Sequence, residues 1–243
     1  MRLDLFAAGM DKPAAGDIFN KANALYKENK YAAAALEFEK IPQLGLESGN
    51  LYYNLGNSYF KQGQIGKAIL NYERAGRFIP GDSDLKSNYD YSRSVLNLGR
   101  EEFSGNKLSI WLAGFFAGIG VESLTMLLSV IYTLLFLVLI FGLFFGRVKR
   151  LSRPLALIFV ILFILGAVSL DRKITCLERG AVVISNEAEV RFEPLESATA
   201  YFTLKEGSKV LVLEGSGNWY KIKRSDGKVG WVEKSALGFL DNK

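Results

Sequence analysis

The chain has 243 residues, 49% of them hydrophobic, with 30 lysines and arginines against 25 aspartates and glutamates, a net charge of +5. Histidine is absent and Cys176 is the single cysteine, which excludes a Ser/His/Asp triad, a His/Cys zinc cluster and an intramolecular disulfide. The charge excess is local: residues 1–106 carry 13 of each sign, residues 171–243 carry 12 basic and 11 acidic, and residues 107–170 carry 5 basic and 1 acidic, so neither flank has the basic face that nucleic acid requires.

Residues 1–14 form either a flexible N-terminus or the tail of a signal peptide, with Leu5, Phe6, Ala7 and Ala8 as its apolar remnant. A repeat follows. Tyr31, Ala34, Phe38 and Ile41 align with Ile65, Ala68, Tyr72 and Ala75 at a period of 34 residues, the period of paired antiparallel helices. The units run over 15–48 and 49–82, and Asn54-Leu-Gly-Asn-Ser-Tyr-Phe-Lys-Gln-Gly63 with Ala68 and Pro80 resembles the tetratricopeptide repeat. In the first unit Ala22 stands at the small glycine, Asn29 at the turn glycine, and the closing proline is missing.

Two repeats need a cap, and residues 83–98 predict one, started by Asp82 or Ser83 and packed through Leu85, Tyr89 and Val95. In tetratricopeptide proteins the first helix of each repeat lines a concave face. The resemblance places Phe19, Asn23, Tyr26 and Lys27 there from the first unit, and Tyr53, Asn57, Phe60 and Lys61 from the second. The same chemistry recurs in both sets, which either suits an extended peptide or reflects repeat ancestry alone. Asn23 and Asn54 match the asparagines of a carboxylate clamp, but Asp84 and Asn88 stand where that clamp has cations, so that specificity is not expected.

Two uncharged apolar runs come next, Leu124–Phe145 and Pro154–Leu170, expected as transmembrane helices over 123–146 and 154–170. Residues 108–121, with Trp111, predict an interfacial segment, and Glu122 suits the start of the first helix. The loop 147–153 between the runs holds Arg147, Lys149, Arg150 and Arg153. By the positive-inside rule it lies in the cytoplasm, with both flanks on the opposite side. Cys176 reads as a bystander thiol or as one end of an intermolecular disulfide.

Beyond the second run the pattern changes to short alternating strands at 181–184, 188–192, 210–214, 219–223 and 229–232, separated by Glu206-Gly207, Gly215-Ser-Gly-Asn218 and Asp226-Gly227. Glu189-Val-Arg191, Leu204-Lys-Glu-Gly207, Trp219-Tyr-Lys-Ile222 and Asp226-Gly-Lys-Val-Gly-Trp-Val232 resemble the bacterial SH3-like family over residues 178–238. That resemblance implies a small all-β barrel with Trp219, Tyr220 and Trp231 as a groove for a peptide or glycan. Trp231 is the stronger candidate for the core and Trp219 for the ligand.

The fold class expected is thus a multidomain membrane protein: an all-α repeat array, a transmembrane hairpin and an all-β SH3-like barrel. This order resembles the BatE family of the Bacteroides aerotolerance system. The resemblance implies two-pass anchoring in the bacterial inner membrane with both termini periplasmic. It also implies partners among membrane proteins with von Willebrand factor A domains, further repeat proteins and a MoxR-type ATPase, and a role in oxygen tolerance or envelope stress. A non-enzymatic scaffold is the leading reading, with no catalytic residues, metal or cofactor, and peptidoglycan binding through the SH3-like domain is the alternative.

Overall fold

A computed structural model describes residues 11–99, 119–145 and 149–241. Two compact units divide the chain: the N-terminal flank together with residues 178–243, and residues 105–177. The expected N-terminal remnant (apart from residues 11–14), the interfacial segment up to residue 118 and Arg147 lie outside the described residues.

The first unit opens with five helices, α1 (Asp11–Lys27), α2 (Tyr31–Gln43), α3 (Gly49–Lys61), α4 (Ile65–Phe78) and α5 (Ser83–Val95). Their ends follow from local chemistry. Ser48 accepts from the Leu51 amide at 3.2 Å to cap α3, and Asp82 accepts from the Leu85 amide at 2.8 Å to cap α5. Gly63 closes α3 with φ of 76°, and Asn29 closes α1 with φ of 60°, so asparagine performs in the first hairpin the left-handed turn that glycine performs in the second. The repeating positions Ala34, Phe38 and Ile41 and their partners Ala68, Tyr72 and Ala75 are buried together with Ala22, Leu51, Tyr52 and Leu55. Gly56 lets the helices of the second hairpin approach: a Cβ there would stand 2.6 Å from the Tyr72 ring. Leu85 and Tyr89 pack back on the array as expected, but Val95, the last residue of α5, is 46% exposed.

Seven strands complete this unit: β1 (Gly180–Val183), β2 (Glu187–Arg191), β3 (Ala200–Lys205), β4 (Lys209–Ser216), β5 (Trp219–Arg224), β6 (Val229–Glu233) and β7 (Leu237–Phe239). They form one antiparallel sheet in the order β3-β2-β6-β5-β4-β1-β7. Two strands, β3 and β7, add to the five expected. Alternation sends Ala188, Val190, Leu204, Val210, Ile222 and Val232 into the core. The turns at Gly207, Gly217 and Gly227 all have positive φ, as their sequences require.

Strand β1 breaks the alternation, since all four residues are buried. One side of it, Ala181 and Val183, enters the sheet's own core; the other, Val182, joins Ile65, Ile69 and Leu70 of α4 with Leu240. The sheet is therefore docked on the helical array. Polar contacts lock the seam: Lys209 meets Glu73 at 2.7 Å, Arg74 donates Nε and Nη2 to the Phe239 carbonyl at 3.1 and 2.7 Å, and Arg77 donates to the Leu240 carbonyl at 3.1 Å. Helix α4 has no capping side chain of its own. Glu206 of the sheet accepts from the Gly66 amide at 2.6 Å and supplies the missing carboxylate. A Cβ on Gly66 would stand 2.7 Å from the Val183 carbonyl, so the helix start is shaped for this contact.

The second unit holds α6 (Val121–Phe144) and the greater part of α7 (Lys149–Arg179). Both are long and apolar enough to cross a membrane, with mean hydropathy 2.7 and 2.4 in their most apolar stretches. The second helix is longer than expected. It starts at Lys149, takes in Arg150, Arg153 and Pro154 and runs on to Arg179, so Pro154, expected to open the helix, lies inside it. Gly142 meets Ser152, and a Cβ on Gly166 would stand 2.6 Å from Leu128, so small residues bring the two helices together. Glu122 lies in the first turn of α6, where a negative charge faces the positive end of the helix.

Candidate functional site

A cleft of about 230 Å³ opens on the face built by α1, α3 and α5. It brings together Tyr26, Asn57, Phe60 and Lys61 of the eight residues expected there, and adds Tyr72, Asn88 and Tyr91. Tyr53 borders it through a 2.9 Å hydrogen bond from Asn88. Three expected residues stand apart. The Phe19 ring packs edge-on against Phe38 at 5.5 Å, Asn23 accepts from Asn54 at 3.1 Å, and Lys27 is exposed at the end of α1. Asn88, singled out in the sequence only as standing where a clamp has a cation, and Tyr91 come from the capping helix, to which the 34-residue alignment was not extended.

The polar arrangement has a direction. Asn57 Oδ1 accepts from the Tyr72 hydroxyl at 2.7 Å and from Asn88 Nδ2 at 3.0 Å, which uses both its lone pairs. Asn88 spends its two amide hydrogens on Asn57 and Tyr53. Among the described residues, the Asn57 Nδ2 group is left as a donor and Asn88 Oδ1 as an acceptor, on neighbouring helices. A peptide unit presents the complementary C=O and N–H. Burial, with a smaller contribution from Tyr53 and Tyr26, pushes the Tyr72 hydroxyl above its ordinary pKa and keeps it a neutral donor. Tyr26 is raised in the same way, first by burial and then by Tyr31. Phe60 and Tyr91, 5.6 Å apart, give the cleft an aromatic wall, and Lys61 is exposed at its edge.

The sheet does not assemble the expected aromatic groove. Register pairs Trp219 with Glu233, Lys221 with Trp231 and Tyr220 with Val232, so Tyr220 points to the core side while both tryptophans lie on the other face. Tyr220 packs edge-on against Phe239 at 5.1 Å. Trp219 is only 8% exposed and Trp231 is half-buried beneath Lys221, the reverse of the order expected for the pair.

A different aromatic surface is present. Phe192 and Tyr201 lie tilted 4.4 Å apart and are 57% and 41% exposed, while Phe202, next to Tyr201 on β3, turns toward the sheet's core with Arg224 over its ring at 4.6 Å. Asp226 orients this arginine at 2.5 Å, and that hydrogen bond holds the Asp226 carboxyl down at about 2. The signal lay in Tyr201, on the strand that pattern reading passed over.

A tetratricopeptide repeat model matches residues 49–82, and a bacterial SH3 domain model matches residues 186–238. No curated protein matches the chain. The helical array and the antiparallel sheet are therefore a repeat-based interaction module and a bacterial SH3 domain, both of families that typically bind rather than catalyse.

Proposed function

We propose that this protein is a non-enzymatic, membrane-anchored scaffold of the BatE type that holds an extended peptide of an envelope partner in the cleft of its repeat array. The observation that carries this reading is the free donor of Asn57 beside the free acceptor of Asn88, backed by the Phe60 and Tyr91 rings. Partners with von Willebrand factor A domains, and a role in aerotolerance, rest on the resemblance of the domain order. Capture from detergent extracts tests it. Wild-type protein should recover discrete membrane partners, and Asn57→Leu with Asn88→Leu should cut recovery about tenfold, roughly the loss of two hydrogen bonds. Undiminished recovery would reject the cleft.

Helices α6 and α7 serve in this reading as a two-pass anchor in the inner membrane, with Arg147, Lys149, Arg150 and Arg153 on the cytoplasmic side. The seam supports it: repeat and SH3 domains packed through Glu73, Lys209 and Glu206 need the same side of the bilayer, which favours two crossings between them. A non-permeant thiol reagent should label cysteines placed at Asp17 and Glu193 equally in intact spheroplasts. Labelling of one alone, or of neither before lysis, would refute this topology.

The exposed Phe192 and Tyr201 rings favour a second reading, in which the SH3 domain holds peptidoglycan. In the same extracts that reading expects retention on purified sacculi, lost on Tyr201→Ala, in place of protein partners.

A further inference from the structure

We propose that the seam between the repeat array and the SH3 domain carries a second binding site, for an extended peptide segment bearing a carboxylate. Between α2, α4 and the ends of β1 and β7 lies a cleft of about 620 Å³, room for several residues of peptide. Leu55, Leu70, Ile184 and Phe239 give it an apolar lining. Neither domain forms it alone.

Its polar groups are left incomplete in a consistent way. Asn71 is 2% exposed, and its Nδ2 donates to the Lys67 carbonyl at 2.8 Å, which fixes the amide's orientation. Its Oδ1 is the one buried side-chain oxygen among the described residues with no hydrogen-bond partner. A buried carbonyl oxygen calls for a donor, and a peptide N–H supplies one. Lys67 and Arg74 lie one turn to either side of Asn71 on the same face of α4. The Lys67 ammonium stands over the Tyr59 ring at 5.1 Å and makes no salt bridge among the described residues. The guanidinium of Arg74 donates to the Phe239 carbonyl, a neutral group, and burial lowers its pKa.

The acids of the cleft are already engaged. Glu39 accepts the Tyr59 hydroxyl, and Asp241 faces Arg77 at 3.9 Å. Among the described residues, one acceptor, Asn71 Oδ1, and one cation that makes no hydrogen bond, Lys67, are thus left to be met along a single helix face, by an N–H and a carboxylate of the same ligand. This site is independent of the cleft over α1, α3 and α5.

Fluorescence anisotropy on the full chain in detergent tests the proposal, with a labelled, end-capped Gly-Leu-Glu-Leu-Glu-Gly peptide and its Gln-for-Glu counterpart as probes. The glutamate peptide should bind at least tenfold tighter than the glutamine peptide, and Lys67→Gln should erase that preference. Asn71→Leu should weaken binding about tenfold and raise the melting temperature of the unliganded protein, because it removes the unmet oxygen. Lys86→Gln, the same loss of charge at an exposed lysine that lines neither cleft, should leave binding unchanged. Equal affinity for both peptides, no binding, a glutamate preference kept in Lys67→Gln, or an equal loss on Lys86→Gln would overturn the proposal. So would unchanged binding with a lower melting temperature for Asn71→Leu, the signature of an oxygen held by internal water.

Discussion

Gly56→Val is expected to open the second helical hairpin, with a loss of about 3 kcal/mol, the upper range for overpacking a filled core. A Cβ at this position falls 2.6 and 2.7 Å from Tyr72 Cε1 and Cδ1 and 3.3 Å from the Ala68 carbonyl. The ring has nowhere to retreat, being 2% exposed and tied through its hydroxyl to Asn57 at 2.7 Å. Gly56→Ala should cost less, about 1–2 kcal/mol, because alanine regains roughly 1 kcal/mol of helix propensity. Hydrogen exchange over residues 49–78 reads the effect directly, since these helices share one core and should lose protection together. Adding Tyr72→Leu to Gly56→Val should restore part of the protection by making room for the branched side chain. Protection unchanged in Gly56→Val would mean that the two helices do not approach as closely as described.

Much of this fold is legible from pattern alone, and the failures share a cause. The repeat register found Ala34, Phe38, Ile41, Ala68, Tyr72 and Ala75, because a 34-residue period with small and aromatic residues at fixed offsets leaves little choice of buried face. The turns of the sheet were readable at Gly207, Gly217 and Gly227, because positive φ demands glycine. Contacts between domains left a fainter trace. The only hint of the seam was β1 itself, an uninterrupted Ala181-Val-Val183 run that reads as a strand covered on both sides. The repeat register counted Ile65 among its recurring positions and assigned nothing to Ile69 or Leu70, and Glu206 stood only in a turn between strands; their shared role shows once the sheet is placed against α4. The aromatic groove was misjudged for a related reason. Trp219 and Tyr220 are adjacent in the chain, and adjacency in a strand puts side chains on opposite faces, so the pair could never share one surface. The candidate cleft was half found: the repeat register delivers α1 and α3, whereas Asn88 and Tyr91 come from the capping helix, to which the alignment was not extended.

The docking of the two domains should weaken in acid, and Glu73 is the group expected to set that dependence. Its side chain is 19% exposed and meets Lys209, 24% exposed, at 2.7 Å. Burial by itself would raise the Glu73 carboxyl, but the charge and hydrogen bond of Lys209, helped by Tyr89, outweigh it and hold the carboxyl below its ordinary 4.5. A folded-state value below the unfolded one means that the unfolded chain binds the proton more tightly. The resulting stability is fully present above about pH 4.5 and is lost as the pH falls through the folded-state value. Glu73→Gln removes that dependence at a cost. It takes from Lys209 the carboxylate that the ammonium meets at 2.7 Å, which should destabilise the seam by about 2 kcal/mol near neutral pH, less than for a fully buried pair. Melting temperatures of the full chain in detergent between pH 3 and 7 should therefore be lower for Glu73→Gln at pH 7 and converge on wild type at the acid end. The other carboxylates drop out of that difference, Asp226 among them with its value near 2. Glu73→Leu with Lys209→Met, which replaces the pair by apolar side chains against Ile69 and Val182, should recover most of the loss and keep the flat pH profile. Parallel curves for wild type and Glu73→Gln would show that this ion pair does not govern how the SH3 domain is held on α4.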